Sequence, residues 1–480
     1  MGSFTLDTIS STPSFSEIDP YVIPWQGQLV NDMEAFDYTL GTHEILLSGS
    51  VGSAKSIIAA HLGVKHCIEN PGARLLIGRR AMPDLRDTIY NKIKEHLEGT
   101  NYADGTPFKE GVDYRCTDTI CRIKFANGSE IIAKSWADKN YKKLGSIEIS
   151  AAIIEELTEN DDKDEMAIKY VRMRVGRLPH VKQNFIIYCT NPDSPSHFAY
   201  DYFDIGKRQA GLTKHLPKTR HVYFSITEQN PFLPDWYITQ LEEDLDPKLA
   251  RRMLKGEWLE ITTDVIYHSY TEEKNHRDCD YDISPLANIY VCFDFNIGVG
   301  KPMSACMHQY FEDTYHFFAE SIVEGADTEM QMEEMAARGF FDHPVDYVIH
   351  GDATGASRTT KSNRSDYDII REFLSKYRTP DGNRVSFTIE VPKANPPIRD
   401  RHNWVNAYCK NATGKVRLLT YNGAKTLNKG FKLTSLKKKA SYIEDDSKEY
   451  QHVTTAAGYS ICKLHKAKKS NTGMRTQRTR

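Results

Sequence analysis

An apolar run, EILLSGS, ends in Gly49-Ser-Val-Gly-Ser-Ala-Lys55-Ser56 and passes directly into a helical run, IIAAHLGVKHCI. A strand, a glycine-rich loop and a helix in that order point the loop amides and the helix amino terminus at one place, where they can cradle phosphates. In the general pattern GxxxxGK[ST] the lysine reaches the β/γ-phosphates and the hydroxyl holds Mg2+. Gly49, Gly52, Ser53, Ala54, Lys55 and Ser56 occupy these positions and are the candidate ATP-binding residues, with Ser56 also a metal candidate. Ala54 stands where the second glycine of the pattern falls, and alanine is the less permissive residue there. The plainer reading is a Ser/Gly turn that happens to precede a lysine.

Further strand-like runs follow between about 40 and 190: ARLLIGRR, then SIEISAAIIEE, then NFIIYCTNP, with helical stretches between them. Apolar strands that end in polar clusters and alternate with helices predict a parallel sheet with crossover helices. ISAAII ends in Glu155 and Glu156. In ATPases of this kind the first acid organises Mg2+ and the second activates the attacking water, which makes Glu155 a metal candidate and Glu156 a catalytic one. The alternative is an acidic solvated face, since EELTENDDKDE is rich in acids. Thr190-Asn191-Pro192 closes a neighbouring strand, where a polar side chain can sense the γ-phosphate. Arg79, Arg80, Arg172, Arg174 and Arg177 are the arginines from which a phosphate ligand or finger would come, Arg79 being placed with the nucleotide.

The second half changes character after the polar stretch Glu272 to Asp282. NIYVCFDFN is followed by SACMHQY and YHFFAES as a hairpin pair, a helix, and DYVIHGD. Asp294 lies inside an apolar strand, Asp352 ends another and Glu320 ends a third, so all three are catalytic candidates. An unpaired carboxylate at such a place is costly, and acids on adjacent strands can share a pair of Mg2+ or Mn2+ ions that clamp a phosphodiester. Asp294 and Asp352 are the metal candidates. For any one of them the plain alternative is a strand-end residue capping a turn. The chain thereby reads as α/β in two parts: an amino-terminal P-loop (ASCE-type) ATPase with a parallel sheet, and an RNase H-like α/β nuclease domain. The boundaries are a loose arm at 1–20, the ATPase at 21–262, a linker at 263–286, the nuclease at 287–462 and a basic tail at 463–480.

The chain has 480 residues, 40% apolar and 26% charged, with a formal charge of -3. That length suits two or three domains and the balance is that of globular folds. A uniformly basic coat for nucleic acid is excluded, whereas local basic segments such as Lys425 to Lys439 and the tail remain candidates for DNA contact. No apolar run approaches a membrane span, and the first residues lack the basic and apolar regions of a signal peptide. Nine scattered cysteines without a CxxC pair predict a reducing, cytoplasmic setting.

Taken together, GSVGSAKS, LLIGRRAMPDLRDTIY, AAIIEELTE, CTNPDSPSHFAYDYF, NPFLPDWYITQLE, RRMLKGEW, FDFN, HGDATGAS and the helix HVTTAAGY resemble the large terminase subunit of tailed bacteriophages, from about Pro24 to Tyr459. The resemblance implies an ATPase that drives double-stranded DNA into a procapsid, joined to a metal-dependent endonuclease that cuts concatemeric DNA. It further implies a portal protein and a small terminase subunit as partners, a ring oligomer on the procapsid, and a place in the host cytoplasm, not in the mature virion and not at a membrane. By that likeness Thr190 to Pro192 form the coupling motif, and Pro24-Trp25-Gln26 is the adenine-recognising segment, with Gln26 the candidate and Gln28 its rival. The family's last helix reads His-x-x-Asp-Ala-x-x-Tyr. Here His452, Thr455 and Tyr459 share one helical face, and Thr455 stands where the acid is expected. The alternative reading is a packaging ATPase whose carboxy-terminal domain only grips DNA and docks on a partner.

Overall fold

The computed structural model describes residues 21–102, 104–160, 165–261, 265–296, 301–357, 364–437 and 442–475, with side chains described through His465. It divides into two units, Met1–Ile238 with Arg251–Glu260, and Thr239–Ala250 with Ile261–Arg480.

The first unit is built on eight strands: β1 (His43–Gly49), β2 (Arg74–Arg79), β3 (Tyr114–Thr117), β4 (Arg122–Phe125), β5 (Glu130–Ser135), β6 (Ala151–Ile154), β7 (Phe185–Thr190) and β8 (Arg220–Ser225). They lie in the order β3-β4-β5-β2-β6-β7-β1-β8. From β5 to β8 every neighbouring pair is parallel. The central strands are apolar through their middles because helices cover both faces. Ile45, Leu47, Ile153 and Ile187 pack on one side with Ile58 and Leu62 of the helix Lys55–Glu69, and Leu46, Ile154 and Tyr188 pack on the other. Each such side chain contributes about 1.5–3 kcal/mol by leaving water. β7 lies between β1 and β6, so one strand separates the phosphate-loop strand from the strand that ends in the paired acids. This is the order of an ASCE-type P-loop ATPase, as expected.

β3, β4 and β5 were not foreseen. They are short, and RIKF alternates charged and apolar residues on an antiparallel edge where one side faces water. Neither β8 nor the helix Pro24–Ala35 carries a strong periodic signal.

The second unit has a six-stranded sheet: β9 (Ile289–Asp294), β10 (Met303–Phe311), β11 (Thr314–Val323), β12 (Tyr347–Gly351), β13 (Phe387–Ile389) and β14 (Leu418–Thr420), ordered β13-β12-β9-β10-β11-β14. β9, β10 and β11 form an antiparallel meander, and β12 joins β9 in parallel. A meander extended by a parallel strand on its first member is the RNase H-like arrangement. One face carries Val291, Phe293 and Ile349 against the helices Thr328–Ala337 and Asp366–Lys376. The other carries Cys292 and Cys306 against the helices Ile398–Cys409, Lys425–Leu433 and Glu449–Arg475.

The stretch 263–286, read as a linker, is packed into this unit among the described residues. Ile266, Tyr267 and Tyr270 are buried, and Asn275 donates to Cys409 O at 2.8 Å and Leu418 O at 2.9 Å. Polar composition misled there because Asn275 is a buried polar residue satisfied by backbone. The last helix also runs past 462 into the segment read as a tail, with the His465 ring 3.6 Å from that of Trp404. The arm at 1–20 and residues 476–480 lie outside the described residues, as do Lys438 and Lys439 of the proposed basic segment.

Candidate nucleotide and nuclease sites

In the first unit the strand β1 delivers Gly49 to the loop, and a Cβ there would stand 1.9 Å from Ser225 Oγ. Gly52 has φ 72°, and Ala54 adopts φ 65°, ψ 28°, a left-handed conformation that glycine would take without strain. Lys55 is buried and its ammonium folds onto the loop, donating to Gly49 O (2.8 Å), Ser50 O (2.7 Å) and Asn191 Oδ1 (3.0 Å). Burial lowers its pKa, and the nearby Glu156 opposes that.

Ser56 Oγ donates to Glu155 Oε2 at 3.1 Å, while Glu155 Oε1 is buried without a partner. Burial, and then the charge of Glu156, push Glu155 up to about 7. A hydroxyl and a carboxylate with an orphaned oxygen form an oxygen-donor set that fits a hard divalent cation such as Mg2+. Glu156 turns the chain at φ 46°, ψ 60°, and burial raises its pKa against the pull of Lys55 and Arg79. From there the short helix Leu157–Glu159 brings Thr158 to Thr190, hydroxyl to hydroxyl at 2.8 Å. Thr190 and Asn191 thus link the acid strand to the lysine.

Gln26 is fully buried and donates through Nε2 to Ala54 O at 3.0 Å, leaving its Oε1 without a partner. Trp25, beside it in the chain, is buried, whereas Gln28 is exposed. Arg79 forms a two-pronged pair with Glu159 and donates to Thr88 Oγ1 at 3.3 Å. Arg172 pairs with Glu44, and Arg177 donates to Met173 O.

Several supports were not singled out individually from sequence. Ser225 Oγ donates to Ser53 Oγ (3.0 Å), Thr227 Oγ1 to Val51 O (2.7 Å), Asn230 Nδ2 to Gly52 O (2.7 Å) and Trp258 Nε1 to Ser48 Oγ (2.8 Å). Asn230 opens NPFLPDW and Trp258 ends RRMLKGEW, so the strings were visible even though their purpose as loop braces was not.

In the second unit, Asp294 and Asp352 meet at neighbouring strand ends. Gly351 is in register with Phe293, and Phe295 N donates to Asp352 Oδ2 at 3.3 Å. Burial raises the Asp352 pKa and Asp294 adds to it, while Thr354 and Gly355 amides cap its other oxygen at 2.6 and 3.2 Å. Asp294 Oδ2 lies 2.6 Å from Asn296 Nδ2 and 3.1 Å from His452 Nδ1.

Glu320 does not join them. It accepts from Thr426 N at 2.7 Å and Leu427 N at 2.8 Å, capping the helix Lys425–Leu433, where the helix end favours a carboxylate. Thr455 is buried on the last helix and its hydroxyl accepts from Gln451 Nε2 at 2.9 Å. Asp446 is held by Lys301 and Lys437, and Asp445 caps Ser447 N at 3.1 Å. Among the described residues no group of three or more His, Cys, Asp and Glu side chains is disposed to hold a metal ion. The acid pair can offer oxygen ligands to a divalent ion, and among the described residues no third carboxylate is grouped with it.

Residues 42–257 match the family model described as the phage terminase large subunit. No curated protein matches the chain. Solved structures of the large terminase from a thermophilic bacteriophage share its fold. One crystal form aligns over 93% of this chain and 98% of that chain, with 14% identity and a TM-score of 0.60. Complexes of the same phage protein with ADP and with ATP-gamma-S align over the same shares, with 14% and 13% identity and TM-scores of 0.57.

Proposed function

We propose, from the match of residues 42–257 to the phage terminase large subunit model, that the protein is an ATP-driven motor translocating double-stranded DNA into a procapsid. The observation that carries this reading is the closed set Lys55–Asn191, Ser56–Glu155 and Thr158–Thr190, which ties the phosphate loop to two adjacent strand ends. Lys55 would leave the loop carbonyls for the β/γ-phosphates, and the amides from Gly49 to Ser56 would receive the remaining phosphate oxygens. Ser56 and Glu155 would hold Mg2+, which supplies positive charge to the phosphates. Glu156 would accept the proton of the attacking water. Gln26 Oε1 is a free acceptor for the adenine amino group. Loss of the γ-phosphate contact at Asn191 would pass through Thr190 to Thr158. Portal protein and small terminase subunit as partners, a ring oligomer and action in the host cytoplasm follow from the same reading.

For the second unit two readings differ. Asp294 and Asp352 support metal-dependent cutting of concatemeric DNA with Mg2+ or Mn2+. The capped Glu320 and the neutral Thr455 favour the other, a domain that grips DNA and docks on a partner while cutting weakly or not at all. The test is ATP turnover with and without linear duplex DNA, beside plasmid cleavage in Mn2+. Stimulated turnover is expected; turnover indifferent to DNA would remove the motor reading. Strong plasmid cleavage would decide for the nuclease.

A further inference from the structure

Two segments of the first unit hold five Lys or Arg each and no acid: 166–183 (MAIKYVRMRVGRLPHVKQ) and 205–221 (IGKRQAGLTKHLPKTRH). In a chain with a formal charge of -3 such a concentration requires an explanation. The topology places both at the same end of the parallel sheet. Residues 176–184 lead into β7 and residues 211–219 lead into β8, with β1 between them. Phe185 is in register with His43, and Arg220 with Glu44. This end is opposite the phosphate loop, which leaves β1 at Gly49.

The two segments meet on Tyr202. The guanidinium of Arg172 lies 4.2 Å from its ring centroid and that of Arg220 lies 4.1 Å from it. Arg208 Nη2 donates to Arg220 O at 2.7 Å. Nearby acids are largely engaged: Glu44 accepts from Tyr188 and Tyr202 and pairs with Arg172, Asp204 pairs with Lys207, Glu165 pairs with Lys169, Asp32 accepts from Tyr223, and Asp37, within electrostatic reach of Lys218, accepts from Thr39 N. Asp201 is exposed. Around this anchored centre Arg177, Lys182, Lys214 and Lys218 are exposed.

We propose that this basic face, carried by the loops before β7 and β8, binds the sugar-phosphate backbone of duplex DNA. Cations spread over two loops, with no acid in either, suit a regular row of phosphates and not a sequence. The proposal rests on the packaging reading and adds a grip on the ATPase unit itself.

The experiment uses the full chain with Lys182→Gln, Lys214→Gln and Lys218→Gln combined, beside a control carrying Lys92→Gln, Lys274→Gln and Lys376→Gln. Binding of a blunt linear duplex is measured across salt concentrations, with ATP turnover in the absence of DNA and a thermal melt as checks of folding. Each phosphate contact contributes about 0.9 to the slope of log K against log salt, so the first triple variant should lose a slope of roughly 2–3 while the control keeps it. An unchanged slope in the first variant, or an equal loss in the control, overturns the proposal while leaving the motor reading intact. A parent chain that binds no duplex overturns both. Unaltered duplex binding with lost affinity for polyglutamate would assign the face to an acidic protein and overturn the DNA reading.

Discussion

Lys55 and Asn191, 136 positions apart in sequence, are joined by a 3.0 Å hydrogen bond between the ammonium and the amide oxygen. The loop after β1 and the end of β7 therefore share one direct contact. Lys55→Ala should abolish ATP hydrolysis, a loss of at least about a hundredfold. Asn191→Ala should keep nucleotide affinity within a few fold yet weaken the stimulation of turnover by DNA. Equal stimulation in the parent and in Asn191→Ala would remove Asn191 from coupling.

Glu156→Gln preserves the shape of the side chain but cannot accept a proton. Turnover should fall by about 10²–10⁴-fold with nucleotide binding retained, measured by fluorescent nucleotide titration beside phosphate release. Turnover at the parent rate would mean that another group takes the proton.

Ala54 is in the left-handed region with φ 65°. Ala54→Gly relieves a strain of about 1–2 kcal/mol and returns part of it as unfolded-chain entropy. A net stabilisation of about 0.5 kcal/mol is expected in denaturant unfolding, with nucleotide binding kept. A loss above about 1 kcal/mol would contradict the strain.

Burial disfavours the Glu444 anion, but Arg401 and His402 overcome that and hold its carboxyl down to about 2. Its pKa is lower folded than unfolded, so its stabilisation is complete above about 4.5 and is lost as pH falls from there toward 2. Acid unfolding of the second unit should begin in that window. Glu444→Gln should flatten this limb and cost about 3–5 kcal/mol at neutral pH, because Arg401 is left buried without its carboxylate. An unchanged acid limb would place the titration elsewhere.

Thr455→Asp returns a carboxylate to the helix face that also carries His452. Plasmid cleavage with Mn2+ should rise well above that of the unaltered chain. Glu320→Gln should leave cleavage unchanged and cost about 1 kcal/mol of stability, as a lost helix cap does. Cleavage that disappears with Glu320→Gln in a folded protein would return Glu320 to the metal site.

What could be read from sequence was local. The phosphate loop is contiguous, so Gly49 to Ser56 are legible as one string, and the runs ending at Glu155 and Thr190 are apolar enough to be recognised as buried parallel strands. Asp294 and Asp352 stand out because each interrupts or ends such a run. Glu320 looks the same by this criterion, and only the packed helix Lys425–Leu433 shows that its oxygens accept from Thr426 N and Leu427 N. Ser225, Thr227 and Trp258 lie between 172 and 210 residues from the loop and β1 atoms they hold, and no spacing rule reports a contact at that range. The buried Asn275 defeated composition for the same reason: its polarity is answered by carbonyls far along the chain.

The brace from Gln26 to Ala54 has a practical consequence. Two of the five tryptophans flank the phosphate loop, Trp25 beside that brace and Trp258 bonded to the strand that feeds it. A rearrangement that breaks the Trp258–Ser48 bond would alter the surroundings of that indole. A single-tryptophan variant that keeps Trp258 and replaces Trp25, Trp136, Trp236 and Trp404 by Phe would let nucleotide binding be followed by intrinsic fluorescence at the strand that feeds the loop, without a dye.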